Sequence, residues 1–379
     1  MEKLNLIAPI NTLGYGVVGT NLLKYLSKCI PDNVIDKTGN TLQIDIALFP
    51  IGNVDIPRSE DIPIIQTAID TANQFKGFTN APSLKVWHEF ALADRIGNGP
   101  SFAFPFFEIN KFDQKRINHL NSVDSVIVAS KWAKDIVQQY IDPSHSVYVV
   151  PLGVDLEIFN PTVNPTTTDK CIFFNCGKWE KRKGHDILLE MFKNAFPDET
   201  DVELWMMCSN PFLSHKMSQE WERYYQTDPR VRLLDRVKTQ SEVAAIMDKT
   251  YCGIFPSRAE GWNLELLEMM SLGKHVIATY YSAHTEFCTD SNSILLHIDN
   301  MEPAQDDTFF KDSLGEWASL ENNTFHEGVL ALRAVYEQWK KDPNVINKEG
   351  LKTAQKLSWT NTANKLKKVI YGNSSTKTE

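Results

Sequence analysis

The feature that most constrains this chain is a rhythm that runs twice. Short β-branched and aromatic runs alternate with longer stretches at helical spacing, first from Leu4 to Val150 and again from Cys171 to Leu296. In the first half the pattern predicts strands at Leu4–Ile10, Gln43–Phe49, Lys85–Glu89, Ser101–Phe104, Ser125–Ala129 and Val147–Val150. Helices are expected between them at Val17–Lys28, Ile62–Gln74, Lys111–Asn121 and Lys131–Tyr140. The second half repeats the alternation, with strands from Cys171–Asn175 to Ser293–Leu296, and closes on helices near Phe325–Lys340, Asn347–Lys356 and Thr360–Ile370. Such alternation predicts α/β architecture with parallel, doubly wound sheets. Between the halves, Val150–Lys170 is rich in Pro and Thr and reads as a linker, and 379 residues suffice for two cores. Two such halves leave a cleft, and ligands of open α/β sheets bind beyond the carboxyl ends of the strands.

Composition excludes more than it assigns. A net charge of −9 argues against a protein whose whole face grips nucleic acid, although a substrate would still feel a local basic groove. The cysteines, Cys29, Cys171, Cys176, Cys208, Cys252 and Cys288, form no Cys-x-x-Cys pair, and no His cluster stands near them at zinc spacing, so no metal site is expected. Several lie inside apolar runs, which suits buried thiols in a reducing, cytoplasmic compartment. No run of about 18 apolar residues is present to span a membrane. The opening MEKLNLIAPI lacks the apolar length and cleavage site of a signal peptide.

Gly14-x-Gly16-x-x-Gly19 lies between an expected strand and helix, where such a pattern can approach a dinucleotide. That fold also asks for an acidic residue ending the second strand, but here the strand ends in Phe49 and Pro50. This speaks against a nicotinamide or flavin oxidoreductase. Gly14 and Gly16 would still let amides near a diphosphate or sugar, or would serve only helix packing.

More informative is FPSRAEGWNLELLEMM, Phe255–Met270. Glu260 falls in a loop after a strand, a helix starts near Asn263, and Glu268 lies in its second turn. The loop carboxylate can accept bonds from sugar hydroxyls, and the amides of Trp262, Asn263 and Leu264 can hold phosphate. Glu268 can take a ribose diol. Taken alone, both glutamates would equally be solvated charges. The companion segment is Phe173–Phe192, whose loop Gly177–Gly184 carries Lys178, Lys181, Arg182 and Lys183 beside Glu180. A cationic loop there stabilises the charge that develops on a departing diphosphate.

Together these segments resemble the retaining glycosyltransferases of the GT-B fold, family four (glycosyl transferases group 1). Gly177-Lys178 and Lys183-Gly184 are similar to that family's Gly-Arg…Lys-Gly loop, with Lys178 where Arg is commoner. Phe255–Thr279 is similar to its Pro-Ser-x-x-Glu-Gly-Phe-Gly block, with Trp262-Asn263 in place of Phe-Gly. VVPLGVDLEIFNP resembles its interdomain segment and LSWTNTANKLKKVIY its closing helix. The resemblance implies two facing Rossmann-like domains: 1–155 for an acceptor, 156–350 for a nucleotide sugar, a closing helix at 351–371 and a polar, disordered tail at 372–379.

It also implies a function. A hexose would pass from a UDP- or GDP-sugar to an acceptor with retention of configuration, without a metal and with no cofactor beyond the donor as co-substrate. His88, in LKVWHEFALAD, matches the family's His before an acidic residue near the donor sugar. The catalytic set implied is His88, Lys178, Lys183 and Glu260; the donor-binding set is Gly14, Gly16, Arg182, Trp262, Asn263, Leu264 and Glu268. Glu108, Lys111, Lys115 and Arg116 would form an acceptor wall or a plain amphipathic helix. The acceptor stays open among a glycan, a lipid-linked sugar, a protein, a metabolite and a modified DNA base, and peripheral membrane contact stays open too. A nucleotide-sugar epimerase, a phosphorylase on the same fold and a non-catalytic nucleotide or glycan binder are the alternatives.

Overall fold

The computed structural model describes residues 2–28, 44–56, 58–161, 168–306 and 308–372. The expected tail beyond Gly372, Cys29, Gln43 and the linker residues 162–167 lie outside them. The chain divides into two compact units. The first comprises Met1–Phe107, Phe112–Gly153 and Leu357–Glu379; the second comprises Glu108–Lys111 and Val154–Lys356.

In the first unit, β1 (Glu2–Ala8), β2 (Ile44–Pro50), β3 (Ser83–Lys85), β4 (Ser101–Ala103), β5 (Ser125–Val128) and β6 (Ser146–Val149) form one parallel sheet in the order β2-β1-β3-β4-β5-β6. Leu4 to Ala8 are all buried, as a central strand covered on both faces requires. The polar member of that run, Asn5, is satisfied by giving and taking bonds with the backbone of Phe78, at 2.9 and 2.8 Å. Its helices are α1 (Gly14–Ser27), α2 (Ile62–Phe75), α3 (Gln114–Leu120), α4 (Lys131–Val137) and, from the far end of the chain, α11 (Trp359–Tyr371), which packs on α1.

In the second unit, β7 (Cys171–Gly177), β8 (Val202–Cys208), β9 (Val231–Leu233), β10 (Cys252–Phe255), β11 (His275–Thr279) and β12 (Ile294–Leu296) form a second parallel sheet in the order β12-β11-β10-β7-β8-β9. Helices α5 (His185–Ala195), α6 (His215–Tyr225), α7 (Gln240–Asp248), α8 (Leu264–Ser271), α9 (Asn323–Lys341) and α10 (Lys348–Lys356) complete it. Phe173, Phe192, Phe196, Leu204, Ile254 and Leu332 are among its core residues. Chain order reverses between β7 and β10, which makes the loops after these strands the topological switch point where this sheet type binds ligands. In the first unit the same reversal falls between β1 and β3.

Several expected boundaries move, each for a local reason. The strand predicted to run to Glu89 stops at Lys85, because the chain turns and the Ala91 amide bonds the His88 carbonyl at 3.0 Å. The helix expected from Lys111 starts at Gln114, where Asp113 caps it by accepting from the Arg116 amide at 2.9 Å. The described part of the expected linker is not a plain tether. Val154 and Phe159 are buried, and the Phe159 carbonyl accepts from Ser271 Oγ at 2.6 Å. Sequence periodicity missed the hairpin β13 (Met301–Pro303) and β14 (Glu316–Ala318), whose strands are three residues each. It holds the detour Glu108–Lys111: Trp317 Nε1 donates to the Glu108 carbonyl at 2.7 Å, and the Glu316 amide donates to Asn110 Oδ1 at 2.8 Å.

Candidate active site

At the switch point of the second unit the loops after β7, β10 and β11 carry a buried ionic lattice. Gly177 ends β7 at φ 138°, and a side chain there would meet the Lys183 stem at about 3.0 Å. Only glycine gives this turn and lets the lysine lie across it. Lys183 Nζ donates to Glu260 Oε1 at 2.9 Å, and Arg182 Nη1 donates to Glu260 Oε2 at 2.8 Å. Ser257 Oγ donates to Oε1 at 2.8 Å, and the Glu260 amide donates to Ser282 Oγ at 2.8 Å. Glu180 completes the lattice, bonded to Arg182 Nη2 at 2.6 Å and paired with Lys178 at 2.7 Å.

The electrostatics follow from this geometry. Burial alone would raise the Glu260 carboxyl, but Arg182 and Lys183 beside it hold it well below the usual carboxylate range. Burial would likewise lower Lys183, and Glu260 reverses that, so the ammonium stays charged. Glu268, on α8, has the opposite setting. It is buried, and burial, helped by the Glu265 carboxylate, raises its carboxyl well above the ordinary value.

Asn263 shapes the start of α8. Its backbone is left-handed, at φ 83° and ψ 81°, which explains how Asn stands where the resembled pattern has Gly. Its Oδ1 caps the helix by accepting from the Leu266 amide at 3.1 Å, and its Nδ2 donates to His284 Nε2 at 2.9 Å. His284 in turn donates from Nδ1 to the Thr279 carbonyl at 2.9 Å, and burial keeps it neutral. Trp262 is 4% exposed, packs on Phe287 with ring centres 4.8 Å apart, and buries its Nε1 without a hydrogen-bond partner. An orphaned buried donor of this kind asks for an acceptor.

The structure thus brings together Lys178, Arg182, Lys183 and Glu260, with Trp262, Asn263, Leu264 and Glu268 on the loop and helix that follow. It alters their parts in three respects. Glu260 was expected to meet sugar hydroxyls and the cations a diphosphate, yet they are bonded to each other. Arg182, expected to bind donor, has both Nη groups engaged by Glu180, Glu260 and the Ala259 carbonyl, so it braces the lattice. Gly14 and Gly16, expected to let a ligand approach, lie in the first turn of α1, in the first unit. The space a Gly16 side chain would fill is occupied by Asn11 at 2.2–2.4 Å, whereas Gly14 faces open space. Gly16 therefore serves the packing of α1 on the loop before it.

His88 also lies in the first unit, just past β3 at that unit's switch point. It sits among half-buried rings: Tyr15 at 4.7 Å, Trp87 at 4.9 Å and Phe90 stacked at 5.0 Å between centres. Arg116 reaches the same loop, donating to Glu89 at 2.8 Å and lying over Phe90. Sequence reasoning passed over Ser257, Glu265, Ser282 and His284. Ser257 and Glu265 flank Glu260 on its own segment, whereas the pairing of β11 with β10 brings Ser282 and His284 to Glu260 and Asn263. Glu108 was read as part of a helix or acceptor wall. It is half-buried in the second unit, where burial, helped by the Glu260 and Glu180 carboxylates, raises its carboxyl against the opposing field of Arg182.

Residues 170–305 match the family Glycosyl transferases group 1. An uncharacterized glycosyltransferase of Methanocaldococcus jannaschii is 26% identical over 228 residues, 57% of this chain and 60% of that protein's length. In solved structures the chain is similar to sucrose-phosphate synthase of Thermosynechococcus elongatus, with TM-score 0.66 and 15% identity over 99% of this chain and 100% of that one. It is also similar to the HepE protein of Anabaena in complex with UDP-glucose, with TM-score 0.66 and 14% identity over 98% and 100%. A glycosyltransferase from Rickettsia africae gives TM-score 0.63 and 13% identity over 99% of both chains. Among the described residues no helix is long and apolar enough to cross a membrane. The chain therefore has the two-unit α/β fold of GT-B glycosyltransferases, and its residues 170–305 match glycosyl transferases group 1.

Proposed function

We propose that this chain is a retaining glycosyltransferase that holds a UDP- or GDP-hexose in its second unit and an acceptor on its first, without a metal. The observation that supports this most is the lattice of Lys178, Arg182, Lys183 and Glu260 at the switch point. An ammonium has three N–H donors, and Glu260 takes one from Lys183. The remaining donors, with those of the partly exposed Lys178, suit the oxygens of a diphosphate. The amides at the start of α8 face the same anion, and the orphaned Trp262 Nε1 suits a sugar or phosphate oxygen.

In this reading the bond between the anomeric carbon and the diphosphate oxygen breaks as charge builds on the leaving group. Lys178 and Lys183 stabilise that charge, the acceptor hydroxyl adds to the same face of the sugar, and its proton passes to the departing phosphate. Glu260 orients sugar hydroxyls and Glu268 takes the ribose diol. The role of His88 is to bond a sugar hydroxyl as a neutral imidazole.

The test is release of nucleoside diphosphate from UDP- and GDP-hexoses, with labelled donor to follow the sugar. Lys183→Ala is expected to lower turnover by roughly 10²–10³, the effect of losing one oxyanion donor. Turnover equal to the native chain's would overturn the mechanism, and a labelled donor returned as an isomer would show an epimerase instead.

A further inference from the structure

Next to the loop Gly177–Gly184, and sharing Glu180 with the lattice, the second unit contains a cavity of about 550 Å³, a size typical of small-molecule sites. One wall is α6, which presents Met217, Trp221 and Tyr224 at spacings of three and four residues, so they share one face. All three are half-buried. Beneath them lies Trp179, whose indole stacks parallel to that of Trp221, with centres 5.7 Å and planes 4° apart. Phe212 and Phe309, next in sequence to the lining residues Leu213 and Thr308, meet edge to face at 5.7 Å. They are 58% and 44% exposed, so apolar surface continues out of the cavity into water.

The polar lining selects among ligands. Glu180, Asp186, Glu220 and Asp306 line it with Lys181; Glu180 is paired with Lys178 and Arg182, Asp186 with Arg258, and Asp306 Oδ1 accepts from the amides of Thr308, Phe309 and Phe310. With Lys181 the one cation among these lining residues, the wall offers a diphosphate little to hold it, so a second nucleotide sugar does not belong here. A pyranose does. Its C–H face matches a flat indole, and its hydroxyls donate to carboxylates.

We propose that this cavity is a second carbohydrate site, taking one or two rings of a neutral glycan on the Trp221 face. It goes beyond the transfer reaction and does not depend on it, since saccharide binding can be observed on a chain that transfers nothing.

The experiment is saturation-transfer NMR and tryptophan emission of the full chain with neutral hexasaccharides of glucose, galactose, mannose and N-acetylglucosamine at millimolar concentration. At least one is expected to bind, and saturating UDP is expected to leave that binding in place. Trp221→Ala is expected to weaken it by about tenfold or more, whereas Trp221→Phe, which keeps the platform, retains most of it. Thermal melting checks that both variants fold, and if Trp221→Ala does not, retention in Trp221→Phe and insensitivity to UDP still decide. No binding to the native chain, full competition by UDP, or equal binding by Trp221→Ala would each refute the site. Nucleotide release, measured separately, reports on the transferase reading alone.

Discussion

The two sheets end differently at their switch points. In the second unit the loops after β7 and β10 bring Lys178, Arg182 and Lys183 against Glu180 and Glu260, nearly all buried and bonded to one another. In the first unit the loop after β3 holds a histidine ringed by Tyr15, Trp87 and Phe90, with the cations at its edge. One topology thus supports two chemistries. Buried charge must be paired, so Arg182 and Lys183 are held by Glu180 and Glu260. Half-buried rings offer flat area, which suits the acceptor surface proposed above.

The largest expected effect comes from breaking the ionic side. Glu260→Gln leaves Arg182 and Lys183 with one compensating carboxylate fewer, and unfolding by denaturant should show a loss of about 3–5 kcal/mol. Because the native Glu260 carboxyl is depressed, its stabilisation is fully present above the ordinary carboxylate range and is withdrawn only as pH falls below it. The variant's deficit should therefore persist at neutral pH and shrink in acid. A deficit that stayed constant down to strongly acidic pH would show that charge pairing is not the cause.

Glu268→Gln sharpens the contrast within the second unit. The folded state holds the Glu268 proton more tightly than the unfolded chain, so native stability should fall as pH rises from the ordinary carboxylate range toward the raised value. The glutamine variant should lose that slope and gain stability at alkaline pH. It should also bind nucleotide roughly ten- to a hundredfold less tightly, from loss of a charged acceptor to the ribose. Calorimetry across pH checks both, and native affinity should strengthen as pH rises through the Glu268 transition. An affinity flat with pH in the native chain contradicts the ribose assignment.

The smallest effect concerns the aromatic side. Trp87→Leu removes ring contacts worth about 0.5–1.5 kcal/mol, so acceptor KM should rise by up to about tenfold while nucleotide affinity stays unchanged. Equal losses in both would mean that the two surfaces do not divide the substrates.

Much of this was legible in the residues. Phe173–Phe192 and Phe255–Met270 disclosed a strand, a cationic loop, a second strand and a capped helix, because turn residues and apolar spacing act over a few positions. What escaped were β13 and β14, too short for a period to register, and the detour Glu108–Lys111, whose partners lie some two hundred residues away. The glycine motif misled for a related reason. Spacing shows that side chains are missing but cannot show whether Asn11 or a ligand fills the gap.

From the sequence alone came the α/β alternation in two halves and the loops that follow Cys171–Asn175 and Gly253–Phe255, since both rest on local pattern. The tertiary structure decided what those residues are to one another. Glu260 and Glu268 are the same residue type on one short segment, yet one is held ionised and the other is pushed toward its neutral form. Arg182 is 78 positions from Glu260 in the chain and 2.8 Å from it in space. Coulombic and desolvation energies follow distance and burial rather than sequence separation, so only the strand order could determine the direction of each shift.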